Sequence, residues 1–367
     1  MAWPFSTAEL TAGLRRYLAE PTLKVKALAE EPVGPTLSAS LGVRAVRGLR
    51  VTYSAGPSAA IGATYRLDCV VKELDGEARP GLANPGVREA GVYRSLALQL
   101  PMATPALIAA DPAGSWLVLE AVDAPAWPRS WSKDETYSAI QLLARLHERF
   151  WGLAGDLAAY PWLARPLTID YEIHVYAAAK ALGQLAGDEW PPLIARSPQI
   201  LGTIGQIIRQ AEQVVQPLRA VPFTLMHGAF WPGSLVHDSD GDPVVLNWHE
   251  AGIGPGVLDL LVMVTTSEWA PQSVTPLPPA PAPVPAAKQM ARYRREIART
   301  VGLRWTDSEW SELWDHALLW RFMQEMLPWV ASAAPEEFLA REQQFDEVWL
   351  RPVLAAAGRR LAPFVSP

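Results

Sequence analysis

The chain has 367 residues, 50% of them hydrophobic and 19% charged, with a formal net charge of −6 at pH 7. That length exceeds what one small core needs and suits two lobes or two domains. The acidic balance excludes a general affinity for nucleic acid, whose phosphates require a basic face, so no nucleic-acid partner is expected.

The single cysteine, Cys69, lies among apolar strand residues. It can form neither an internal disulfide nor a thiolate metal cluster, and reads as a core residue of a reducing compartment. The N-terminus lacks a basic stretch followed by an apolar run, and no segment reaches the ~18 apolar residues of a membrane span. A soluble, cytoplasmic protein with no membrane partner is the expectation.

In chain order, Ser6-Thr7-Ala8-Glu9 has the form of a capping box, and Leu10, Leu14, Tyr17 and Leu18 follow at helical spacing. From Val43 to Leu74 alternating and β-branched runs broken by glycines predict a small antiparallel sheet. A helix carrying Glu89, Val92, Tyr93 and Leu96 comes next, then a strand pair ending in Trp116-Leu-Val-Leu-Glu120. Beyond Ala121 the spacing turns helical, over Tyr137 to Phe150, Tyr171 to Leu185 and Ile200 to Val215. A hairpin from Leu225 to Trp248, with Asp240-Gly241 as its turn, interrupts the helices, which resume at Ala286. Pro271 to Pro285 is too rich in proline for helix or central strand and reads as a surface loop or stiff linker. Trp305, Trp310, Trp314 and Trp320 read as helix-packing aromatics of the core, with a flat aromatic wall for a ligand in the helical lobe as the alternative.

The chemistry concentrates in His227-Gly-Ala-Phe-Trp-Pro-Gly-Ser234 and, one short hairpin later, Val245-Leu-Asn247-Trp248. In the kinase catalytic loop H-R-D-x-x-x-x-N, the aspartate takes the substrate's hydroxyl proton and the asparagine holds magnesium. A second metal-binding aspartate follows on the next hairpin. Here those three positions are Ala229, Ser234 and Asn247. Ala229 has no group that could act as a base, Ser234 is a neutral hydroxyl, and Asn247 keeps a carbonyl oxygen without the charge. Magnesium is therefore expected to bind weakly or not at all. His249 and Glu250 are the candidates to substitute for the lost groups, although side chains alternate along a strand. Asp238-Ser-Asp-Gly-Asp242 begins like a calcium loop but has Pro243 at the required glycine and His249 at the final glutamate, and reads as a solvated turn.

These motifs resemble the aminoglycoside phosphotransferase and choline kinase-like family, whose members usually show H-G-D-x-x-x-x-N and then a strand ending in I-D-W. Asp259, in Gly254-Pro-Gly-Val-Leu-Asp-Leu260, fits the family's aspartate that braces the catalytic loop. Leu143-Ala-Arg-Leu-His147 resembles its helix before the catalytic lobe. The resemblance implies an α+β, two-lobed protein-kinase-like fold: residues 1–121 as a β-rich nucleotide-binding lobe, and residues 122–367 as a helical lobe containing the hairpin 225–248 and the proline-rich loop 271–285. It implies that Lys72 holds nucleotide phosphates, that Glu89 pairs with it, and that the turn holding Ser58 covers the phosphates. The backbone from Glu120 to Val122 would receive adenine. His227 would pack the catalytic loop. With Ala229, Ser234 and Asn247 changed together, the expectation is a pseudokinase that binds ATP or another nucleotide, a small molecule or a protein partner without efficient transfer. The alternative is an active ATP-dependent small-molecule kinase with a non-standard site.

Overall fold

The computed structural model describes residues 2–32, 43–55, 63–76, 82–122, 131–187, 190–238, 240–266 and 283–362. In chain order they form α1 (Thr7–Tyr17), β1 (Lys24–Glu31), β2 (Val43–Ser54), β3 (Tyr65–Leu74), α2 (Pro85–Ser95), β4 (Leu107–Ala110) and β5 (Trp116–Glu120). Then follow α3 (Lys133–Arg149), α4 (Ala154–Leu157), α5 (Tyr171–Gly187), α6 (Pro192–Ala195), α7 (Pro198–Arg209) and α8 (Ala211–Arg219). Short strands come next: β6 (Thr224–Met226), β7 (Leu235–His237), β8 (Pro243–Val245) and β9 (Gly252–Gly254). The chain continues through α9 (Val257–Thr266), α10 (Ala286–Thr300), α11 (Asp307–Arg321), α12 (Leu327–Ser332), α13 (Pro335–Leu339), α14 (Glu342–Phe345) and α15 (Arg351–Arg360). Contacts divide the chain into two units, Met1–Arg129 with Gly233–Ala251, and Ser130–Pro232 with Gly252–Pro367. The expected hairpin 225–248 is thus shared between them.

In the first unit, α1 starts at the expected capping box: Ser6 Oγ accepts the Glu9 amide at 3.2 Å, and the Glu9 carboxylate accepts the Ser6 amide at 2.7 Å. Leu10 and Leu14 on its buried face meet Leu49, Val71 and Ile108 in the unit's core. Gly13 allows this packing, because a Cβ there would lie 2.3 Å from the Ile108 carbonyl oxygen. The antiparallel sheet runs in the order β1-β2-β3-β5-β4. Successive strand side chains point to opposite faces. On β3, Cys69 and Val71 accordingly join the core under α1, while Val70 and Lys72 face the opposite side, where a cavity lies.

Cys69 is 2% exposed, and burial, assisted by the charges of Asp68 and Glu120, pushes its thiol up to about 12. At pH 8 only about one thiol in ten thousand is then ionised. The folded protein should therefore resist iodoacetamide at pH 8 and take up one label when unfolded in urea. Rapid native labelling, read by intact mass, would contradict that burial.

The second unit is mostly helical. Its α3 begins at Lys133, a turn before the apolar spacing starts, because Ser132 and Glu135 form a further capping box whose residues are polar. The stretch Ile200 to Val215, expected as one helix, is two: the chain leaves helical geometry at Gln210, φ −101° and ψ 24°. Ile204, Ile207, Ala211 and Val214 keep one buried stripe across the break, and periodicity reports a buried face rather than an unbroken axis. Trp310 and Trp320 are buried, with Trp310 packed against Trp305 at 5.3 Å between ring centroids. Strand β6 pairs with β9, so in chain order the β7–β8 hairpin, which belongs to the first unit, separates two strands of the second that pair with each other. Its turn uses Gly241 at φ 84°, and Asp238 Oδ1 accepts the amides of Asp240 and Asp242. Residues 271–282 of the proline-rich stretch lie outside the described residues. Among the described residues, no helix is long and apolar enough to cross a membrane.

Candidate functional site

Lys72 enters the cavity from β3 and is 3% exposed. Helix α2 brings Glu89, 0% exposed, to meet it, with Lys72 Nζ 2.7 Å from Glu89 Oε2 and 3.0 Å from Oε1. The same ammonium donates to Asn247 Oδ1 at 3.0 Å. An ammonium has three N–H donors, and these three oxygens can take all of them. Helix α2 is fixed closely enough for this because Gly86 packs on Gly114, where a Cβ would come within 1.9 Å of the Gly114 carbonyl oxygen. Arg88 completes the anchorage, donating to the His249 carbonyl at 2.8 Å and the Ala83 carbonyl at 3.2 Å.

Tyr93 was not singled out as a site residue from the sequence, yet it stands one helical turn from Glu89 and donates its hydroxyl to Oε1 at 3.1 Å. The four-residue spacing was the available signal. Burial, then the Glu89 charge, raises its pKa well above the usual phenol value. Asn247 holds a left-handed backbone, φ 64° and ψ 51°, a conformation asparagine tolerates better than most residues.

The cavity holding Lys72 has a volume of about 270 Å³. Its apolar walls include Val70, Leu119, Val236 and Leu246, and residues Glu120 to Val122 border it. The Ala121 amide donates to the Asp68 carbonyl at 3.1 Å, so Ala121 is not a donor for a ligand. The Glu120 side chain accepts from the Tyr17 hydroxyl at 2.9 Å and the Ala106 amide at 3.3 Å. Burial and that Glu120 bond push the Tyr17 phenol up to about 12. Ser58 lies outside the described residues. Ser234, His249 and Glu250 are buried and do not border the cavity. His249 Nε2 and Glu250 Oε1 lie 3.9 Å apart.

In the second unit, the segment from His227 to Ala229 is fixed by its backbone. Asp259, in the first turn of α9, accepts the His227 amide at 2.6 Å and the Gly228 amide at 2.8 Å. Arg321 donates to the Gly228 carbonyl at 2.8 Å. Gly228 sits at φ 85°, which favours glycine. His227 Nδ1 accepts the Ala229 amide at 3.2 Å, and its ring meets Phe230 edge-on. His147 Nε2 lies 3.3 Å from Asp259 Oδ2, and the other face of the His147 ring, at Nδ1, is 2.8 Å from the Tyr293 hydroxyl. Burial would raise the Asp259 pKa, but His147, His227 and Arg321 outweigh it and hold the carboxyl below the ordinary carboxylate range. The Ala229 methyl is 4% exposed.

Magnesium prefers oxygen ligands, carboxylates above all. Ser234 and Asn247, the positions that the resemblance implies for metal ligands, are neutral, and the Asn247 oxygen already accepts from Lys72. The carboxylates bordering the cavity are engaged elsewhere: Glu89 with Lys72, Glu31 and Asp68 with Arg50, and Glu120 as above. Among the described residues no three His, Cys, Asp or Glu side chains come together as a metal site. Among the described residues, those bordering the cavity do not fit a divalent ion.

The phosphotransferase enzyme family matches residues 77–277, more than half of the chain, and the protein belongs to that family. Among solved structures, the chain is similar to a Ralstonia eutropha JMP134 protein proposed to be an aminoglycoside phosphotransferase, at 14% identity and a TM-score of 0.54, over 98% of this chain and 100% of that one. It is also similar to the gentamicin–APH(2″)-IIa complex, at 11% identity and a TM-score of 0.52, over 96% and 99% of the two chains. A third similar structure is the aminoglycoside phosphotransferase of Alicyclobacillus acidocaldarius subsp. acidocaldarius DSM 446, at 12% identity and a TM-score of 0.50, over 98% and 97%. These likenesses establish the fold, which is the α+β kinase-like one: an antiparallel sheet region followed by a mostly helical region. No curated protein sequence matches the chain closely.

Proposed function

We propose that this phosphotransferase-family protein is a pseudokinase: it binds a nucleotide in the cavity of its first unit and transfers phosphate inefficiently or not at all. The observation that carries this reading is Lys72, which is held in the cavity by Glu89 but meets a neutral Asn247 at the position where kinases keep a metal-binding aspartate. The apolar walls suit a base, and the ammonium suits a phosphate. Ala229 supplies no proton acceptor, and His227, with Nδ1 already accepting the Ala229 amide, is placed to shape the loop.

A positioned base is worth roughly 10²- to 10⁴-fold in rate, and stabilisation of the transferring phosphoryl group comparably more. Starting from the 1–100 s⁻¹ typical of kinases, the combined losses should leave turnover below about 10⁻³ s⁻¹. The test is incubation with ATP, magnesium and a panel of hydroxyl-bearing metabolites, with products read by mass spectrometry. Turnover near 1 s⁻¹ on any acceptor overturns the proposal, and its loss in Glu250→Gln would assign the missing role to Glu250.

A further inference from the structure

We infer that the cavity takes a nucleoside or nucleoside monophosphate in preference to a triphosphate, and takes it without a divalent cation. This inference rests on the reading of the cavity as a nucleotide site. Among the described residues four carboxylates border it, Glu31, Asp68, Glu89 and Glu120, against two cations, Arg50 and Lys72. Both cations are engaged: Arg50 reaches Glu31 and Asp68, each at 2.8 Å, and the Lys72 ammonium is shared between Glu89 and Asn247.

A triphosphate entering such a wall brings its negative charges against a surplus of carboxylate, and in kinases magnesium neutralises that charge. Among the described residues, those bordering the cavity do not fit the ion. A phosphate can still displace the Asn247 oxygen, since it offers Lys72 a charged acceptor in exchange for a neutral one. One phosphate, or none, satisfies that single donor without a counter-ion. The volume, about 270 Å³, falls just below the roughly 300–1,000 Å³ usual for ligand sites and accords with a base and sugar rather than a longer polyphosphate.

The test is calorimetric titration of the full chain with adenosine, AMP and ATP, each in EDTA and in millimolar magnesium. Adenosine or AMP should bind at least tenfold more tightly than ATP, with affinities unchanged by EDTA. In Asn247→Asp, which restores a carboxylate beside Lys72, ATP binding should become magnesium-dependent. ATP binding that is tightest of the three, or that needs magnesium in the parent protein, overturns the inference while leaving the nucleotide site standing. Failure of all three ligands to bind overturns both.

Discussion

Replacing Asp259 by alanine is expected to destabilise the protein by about 4 kcal/mol, because the change leaves the His227 and Gly228 amides and the His147 ring without their buried acceptor. Each orphaned donor costs about 1–3 kcal/mol, a large share of the 5–15 kcal/mol that holds a typical domain folded. Asp259→Asn keeps the shape and one acceptor oxygen and should cost about half as much. The folded carboxyl sits below the ordinary carboxylate range, held there by His147, His227 and Arg321. Its contribution is therefore present in full above the unfolded value and is lost as pH falls through the folded one. Urea titrations at pH 7 and at about pH 3, below the unfolded value, read both effects, and Asp259→Asn should reduce the difference between them. An alanine variant as stable as its parent would mean that the backbone of His227 and Gly228 is not held from α9.

The second large effect concerns the buried ion pair. Glu89→Leu should cost about 3–5 kcal/mol, since Lys72, 3% exposed, keeps only the carbonyl of Asn247 as a partner. Adding Lys72→Met removes the stranded charge, and well-packed apolar pairs often equal a buried ion pair in stability. The double variant should recover at least about 2 kcal/mol of the loss, short of full recovery because the Tyr93 hydroxyl loses its acceptor. Equal instability of single and double variants would contradict a direct Lys72–Glu89 contact. Neither variant should bind a nucleotide phosphate, which separates the pair's structural role from its proposed ligand role.

Much of the layout was legible before any coordinates. Ser6 and Glu9 marked the start of α1, because capping is a local rule spanning four residues. The alternation around Cys69 to Lys72 placed a strand with one face in a core. The lysine and the helix glutamate were legible only through resemblance, since 17 residues separate them and no local spacing joins them. The helix break at Gln210 was not legible, because the buried stripe continues across it. Nor was the pairing of β6 with β9 across the intervening β7–β8 segment of the chain, since strands of three residues carry too few positions to reveal their partners.

Residue types alone determined that position 229 has no side chain able to take a proton and that positions 234 and 247 carry no charge, because these are properties of covalent structure. The family was legible as a resemblance in the motifs around these positions, and the family match over residues 77–277 establishes it. Only the tertiary structure decided what the remaining polar groups do. It set the Asn247 oxygen on Lys72, committed Asp259 to two backbone amides, bound the Ala121 amide to the Asp68 carbonyl and kept Glu250 away from the cavity lining. A buried hydrogen-bonding group must find a partner wherever folding provides one, and that choice is made by neighbours distant in the chain.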